Sequence, residues 1–306
     1  MKLGINGTGL VTKADTALVV QHAQQALDDG FKSYWIAEHP IGGFDALTVL
    51  TAVGLQVPEL HLGTAIIPTM PRHPIVLAGQ ARTAHNILGG RITLGIGLSH
   101  QPMMADLGLS FEKPIRHLRE YLEVLMPLLE EGAVDAQNET ISAKAKFLGK
   151  ASGRPPVLVA ALGPQALGVS GRRADGTILA WVGPKTIGSH IAPRIQQAAA
   201  DAGRDTPQIV ASLPICVTDN ESQVRETISK GLAWYGQLPS YRAMFDREGV
   251  DGPGDVAIVG SIEKVTDGVA AMAAAGVTEF APTEFFTNSD EAMATRSLLQ
   301  SLLSQY

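Results

Sequence analysis

Along this chain, short runs of β-branched and aliphatic residues alternate with longer stretches in which apolar positions return every three or four residues. The first pattern suits strands buried on both faces and the second suits helices with one apolar stripe, so the order predicts consecutive βα units and a parallel sheet. Strands are predicted at 2–6, 33–37, 61–67, 92–97, 156–161, 177–181, 209–217 and 278–281, and helices at 14–28, 75–88, 114–130, 164–173, 184–202, 221–232 and 262–275. Several of these helices open with proline in the first turn. Gly30, Gly89, Gly132, Gly203 and Gly276 stand just past helix ends, where a left-handed residue closes the last turn.

Eight alternations within 306 residues predict a (β/α)8 TIM barrel in one domain spanning 1–306 better than a doubly wound sheet. Two segments break the rhythm. Residues 137–155, with Lys144, Lys146, Gly149, Lys150 and Gly153, form an insertion after strand four; residues 235–254, ending in Asp-Gly-Pro-Gly, form a helical insertion after strand seven. Long connections in compact domains tend to be functional, so both are candidate lids.

Composition narrows the class. With 45% hydrophobic residues the chain can bury a large core, and its net charge of −6 is dispersed, which argues against nucleic acid or an anionic membrane as partner. Residues 1–10 lack the apolar centre of a signal peptide, no run reaches membrane-spanning length, and the single cysteine, Cys216, has no disulfide partner. These features predict a cytoplasmic protein.

Several chemistries lack their residues. Gly7-Thr8-Gly9 and Gly95-Ile96-Gly97 have no third glycine of a dinucleotide fingerprint, because Thr12 and His100 occupy that place. The segment from Gly97 to Gln101 misses the last glycine of a nucleophile elbow, and neither a Walker loop nor HExxH occurs. Strand one ends in Asn-Gly-Thr-Gly, without the histidine pair of a metal-dependent amidohydrolase, so no metal site is expected.

In such a barrel the reactive groups stand at the C-terminal ends of the strands. Reading those ends gives Glu38, His39 and Pro40 after strand two, Arg72 and His73 after strand three, Ser99 and His100 after strand four, Leu162 to Pro164 after strand five and Trp181 after strand six. Near neutral pH an imidazole can hold or release a proton beside a redox ring, which makes His39 and His100 the candidate acid–base groups; His73 suits a helix start. Gly163 and Pro164 begin a helix whose free amides at Gly163, Gln165 and Ala166 could hold a phosphate or could simply make a βα turn. Arg172 and Arg173, in its last turn, suit the helix dipole better than an anion.

Beyond these readings, the chain resembles, over nearly its whole length, the luciferase-like flavin and deazaflavin oxidoreductases, and the segments that carry the resemblance are Ser33 to His39, Leu62 to Pro68 with Pro71 to Pro74, Arg91 to Gly97, and Ala160 to Pro164 with Gly171 to Gly176. Gly97 to Pro102 and Tyr235 to Arg242 look like the branch that uses coenzyme F420. The resemblance implies a cofactor across the barrel mouth, a bulged non-prolyl cis peptide at Ala65-Ile66 behind its ring, and its phosphate near strands five and six. It also implies that Glu38, His39, Thr64, Ala65 and Ile66 lie near the ring, Leu98 and Ser99 near the tail, Ala161, Leu162, Gly163, Pro164 and Gln165 at the phosphate, and Trp181 as a wall. His100 stands where some relatives carry a glutamate donor, so any acid there would be a histidine.

The activity implied is hydride transfer between C5 of reduced F420 and a small organic substrate, with His39 or His100 supplying the proton, in a homodimer served by an F420 or flavin reductase system. Two alternatives stay open: an FMN-dependent monooxygenase using reduced flavin and oxygen, and a non-catalytic flavin-binding protein on the same fold. Leu10, Phe44, Met70, Met103, Met104 and Leu107 are apolar candidates for a pocket near the ring, although each such residue is more often core or lid packing than a ligand contact.

Overall fold

A computed structural model describes residues 1–13, 15–39, 41–149 and 153–306; Ala14, Pro40 and Lys150, named above, lie outside the described residues. All eight predicted strands are present, and they close on themselves. The sheet runs in sequence order, strand by strand, and every neighbouring pair is parallel. Closure comes from the first strand, whose lower half Lys2–Leu3 pairs with Glu279–Phe280 of the eighth while its upper half Ile5–Asn6 pairs with the second strand, Ser33–Ile36. The result is a (β/α)8 barrel.

Side chains that point inward fill the lumen: Trp35, Leu158, Ile178, Val210 and Ala281 are buried there, packed by Ala65, Ile66 and Ala160. Outward-facing residues form a second, larger core against the helices, including Ile5, Ile36, Leu62, Leu94 and Ile209, each fully buried. This two-sided burial is why the strands read as continuous apolar runs.

Helix boundaries follow their caps. Asp15 accepts from the amides of Ala17 and Leu18 to start Thr16–Asp28, and His73 accepts from Ile75 to start Pro74–Ile87. The helices Pro114–Glu130 and Pro164–Arg173 have the expected bounds, and the five closing glycines all have positive φ. Sequence patterning did not single out Ala46–Gln56 between strands two and three, which is apolar almost all round and shows little stripe, or the last helix, Ser289–Leu302.

The insertion after strand four is an antiparallel hairpin, Ala133–Ala136 with Ala143–Lys146, and begins earlier than expected. The insertion after strand seven carries Ala233–Gln237 and Pro239–Glu248 as helices, then an unpredicted strand, Ile258–Gly260. That strand pairs in parallel with Pro214–Val217, the upper half of strand seven. Arg225 secures it by donating to the carbonyls of Gly254, Ala257 and Val259. Among the described residues, no helix is long and apolar enough to cross a membrane.

Candidate active site

The C-terminal rim of the barrel gathers residues from strands two to six. On strand three the Ala65-Ile66 peptide is cis, as the resemblance implied. The Ala65 amide donates to the Ile36 carbonyl at 2.7 Å and the Ile66 carbonyl accepts from Glu38 at 3.1 Å, so the neighbouring strand brackets this peptide on both sides.

Not every predicted residue offers its side chain to the mouth. Thr64 is fully buried, and its hydroxyl bridges both the amide and the carbonyl of Gly95 at 2.8 Å, which makes it a bond between strands three and four. The carboxylate of Glu38 accepts from the Ala46 amide at 3.1 Å and pairs with Arg72, which also pairs with Asp45 at 2.7 Å. Burial raises the Glu38 pKa despite the opposing effect of Arg72. Both side chains are thus tied by protein partners into the framework of the rim. Ala161 is likewise buried against the core.

His39 and His100 are different. Both rings are half-buried, and among the described residues no hydrogen bond reaches a nitrogen of either. Burial lowers the pKa of His39; burial, with a smaller effect from His39, brings that of His100 down to about 4. Both are neutral at pH 7, so each holds one proton and one free acceptor nitrogen. His73, by contrast, spends its Nδ1 as the cap of its helix, as its position suggested.

Around His100 stands a group of rings that sequence reading missed. Trp234, Tyr235 and Tyr241, all from the insertion after strand seven, lie 5.3, 5.8 and 5.7 Å from the imidazole, and Trp181 lies 5.6 Å from Tyr235. The clue in the sequence was density, since these three aromatics fall within eight positions of a chain that is only 5% aromatic. Ser99 and Trp181, at the ends of strands four and six, both have φ of 61°, in the left-handed region unusual for such residues. Ser99 donates weakly to Met103 Sδ at 3.7 Å, and Leu98 packs on the core.

After strand five, Gly163 precedes Pro164–Arg173 with no side chain capping it and no acidic residue in the first turn, which leaves the leading amides of this helix unfilled. His190 Nε2 fixes the approach by bonding the Leu162 carbonyl at 2.9 Å. The corresponding helix start after strand six is closed. There Glu248 accepts from the amides of Lys185 and Thr186 at 3.1 and 2.7 Å, and a β-carbon on Gly183 would lie only 2.3 Å from its carboxyl carbon. Of these two neighbouring helix starts, the one at Gly163 to Gln165 is the one without a side-chain cap. Arg173 pairs with Glu123 at the far end of that helix, consistent with the dipole reading.

Similarity to known proteins agrees with this arrangement. The family model for luciferase-like monooxygenase matches residues 3–279. The 5,10-methylenetetrahydromethanopterin reductase of Methanolobus tindarius is 24% identical over 253 residues, 82% of this chain and 77% of the relative. An F420-dependent secondary alcohol dehydrogenase in complex with an F420-acetone adduct shares the fold at a TM-score of 0.81 and 16% identity, covering 99% of this chain and 97% of that one. The oxygenating constituent of 3,6-diketocamphane monooxygenase from Pseudomonas putida, in complex with FMN, shares it at a TM-score of 0.77 and 16% identity, covering 100% and 98%.

Proposed function

Because the chain belongs to the luciferase-like monooxygenase family, we propose that it is an oxidoreductase that moves a hydride between coenzyme F420 and a small organic substrate. The observation that carries this reading is the pairing of unfilled helix amides after strand five with two neutral, unpartnered imidazoles after strands two and four. A phosphate suits the first feature and a redox ring beside exchangeable protons suits the second. When bound, the deazaflavin supplies or accepts a hydride at C5.

The chain's own residues then have separate tasks. The amides of Gly163 and Gln165, with Leu162 and Pro164 shaping the turn, hold the phosphate; Leu98 and Ser99 flank the tail; Ala65 and Ile66 back the ring; Trp181 walls it. His39 and His100 bind the substrate's polar atom through a ring N–H and hold the exchangeable proton there. Being neutral at pH 7, they orient that proton rather than carry a full positive charge.

The test is a titration of the cofactor-free protein with oxidised F420 and, separately, with FMN, followed by calorimetry. Micromolar or tighter affinity for F420 with little for FMN supports the reading. Preference for FMN, with oxygen consumption from reduced flavin, moves the protein to the second reading, a monooxygenase, which the family also contains. Failure to bind either overturns the cofactor site.

We extend this reading to a cytoplasmic homodimer, one domain per chain, served by a separate F420 or flavin reductase. Leu18, Leu55 and Val76 lie exposed on three successive outer helices, an apolar feature that a second copy would cover. Sedimentation at micromolar concentration should give twice the chain mass, and a monomer would remove this extension.

A further inference from the structure

The insertion after strand seven brings three aromatic side chains to His100, and two of them carry hydroxyls with nothing to bond. Among the described residues neither Tyr235 nor Tyr241 makes a hydrogen bond through its phenol, and neither does any nitrogen of His100. These atoms are not sealed in. The side-chain nitrogen and oxygen atoms both buried and unpartnered, among the described residues, are Arg82 Nη1 and Asn138 Nδ2. The free hydroxyls and the imidazole therefore keep some accessible surface, and burial raises the pKa of both phenols above its ordinary value.

The charged groups beside this wall have partners of their own. Arg242, the cation next to Tyr241, is spent on Asp246 and on the carbonyls of Val250 and Asp251. Arg72, beyond His39, is spent on Glu38 and Asp45. The insertion is also held in place, because Glu248, seven residues after Tyr241, occupies the helix start beside Trp181. What remains is a fixed arrangement of Trp181, Trp234, Tyr235 and Tyr241 offering ring surface and neutral O–H and N–H donors.

We propose that Tyr235 and Tyr241, with His100, select the substrate: a flat, uncharged ring bearing a carbonyl or similar neutral oxygen, which accepts hydrogen bonds from these groups while its faces pack on the aromatic side chains. The proposal rests on the oxidoreductase reading above. Ring packing favours flat molecules, and a site built of neutral donors discriminates strongly against a ligand lacking the acceptor or carrying an unpaired charge.

The experiment is calorimetric binding of three probes of one shape: 1-indanone, indane without the oxygen, and 1-oxoindane-5-carboxylate with a charge. It is run on the F420-loaded protein and repeated on the cofactor-free protein, so a failure of F420 to bind is seen separately and leaves the pocket testable. The expected result is binding of 1-indanone at least tenfold tighter than either other probe. Tyr241→Phe and Tyr235→Phe should each weaken 1-indanone at least fivefold, leave indane unchanged and leave F420 affinity within twofold; unaltered melting temperatures show that the variants fold. Equal or tighter binding of the carboxylate, no binding of 1-indanone, or tyrosine variants that hold its affinity within twofold would each overturn the proposal.

Discussion

At the scale of single residues, two histidines carry different weights. His39 follows strand two, one residue after Glu38, whose amide bonds the Ile66 carbonyl of the cis peptide, and among the described residues neither ring nitrogen of His39 has a protein partner. His39→Ala should lower turnover by about 10²-fold, the usual contribution of one positioned acid–base group, with F420 affinity retained. Unchanged single-turnover rates in the loaded variant would remove His39 from the reaction. His100 offers a pH test. The unfolded chain takes up a proton on this ring near its ordinary value of 6.5, whereas the folded chain does so only near 4, chiefly because of burial. Its contribution to stability is therefore complete above pH 6.5 and is lost as pH falls from there towards 4. His61, His85, His117 and His190 are lowered in the same direction, so the isolating measurement is a difference. Urea midpoints between pH 7 and 5 should fall less steeply in His100→Gln than in the parent, and equal slopes would refute the assignment.

At the scale of elements, the meeting of strands three and four sets the floor of the mouth. The Thr64 hydroxyl brackets Gly95, and a β-carbon on Gly95 would lie 1.9 Å from the Thr64 carbonyl oxygen. Backbone cannot give way by that much without separating the strands, so Gly95→Ala should fold poorly or lose several kcal/mol. Thr64→Val keeps the shape and strands two backbone groups, which should cost about 1 to 3 kcal/mol by denaturant unfolding. An effect of Thr64→Val on F420 affinity with no loss of stability would return Thr64 to the cofactor site. These elements also show what the sequence could reveal. The strand runs, the closing glycines and the residues standing at the C-terminal ends of strands two, four, five and six were readable because each depends on local pattern. The protein partners of Thr64 and Glu38, Gly95 and Arg72, were not readable because they lie about thirty residues away in the chain. The aromatic group around His100 was hidden for the same reason, since Trp234 and Tyr241 reach it across nearly half the length of the chain.

At the scale of the whole molecule, a closed barrel must join its first and last units, and a buried ion cluster marks that seam. Arg296 of the last helix bonds Asp29 at 2.7 Å and pairs with Glu284 on the extension of strand eight, beside His22 and over the Phe31 ring. Burial pushes the Glu284 carboxyl upward, but the bonds from His22 and Arg296 outweigh it and leave the group below its usual range. Stability from Glu284 is thus present above its unfolded pKa and is lost as acid protonates it. Arg296→Met would leave two carboxylates with little compensation and should cost about 3 to 5 kcal/mol, whereas adding Glu284→Gln to that variant should recover part of the loss. Guanidinium unfolding of the parent, the single and the double variant measures both terms. A single variant within 1 kcal/mol of the parent would show that the seam is held by packing alone, through contacts such as Lys2–Leu3 with Glu279–Phe280, and that the ion cluster contributes little to closing the barrel.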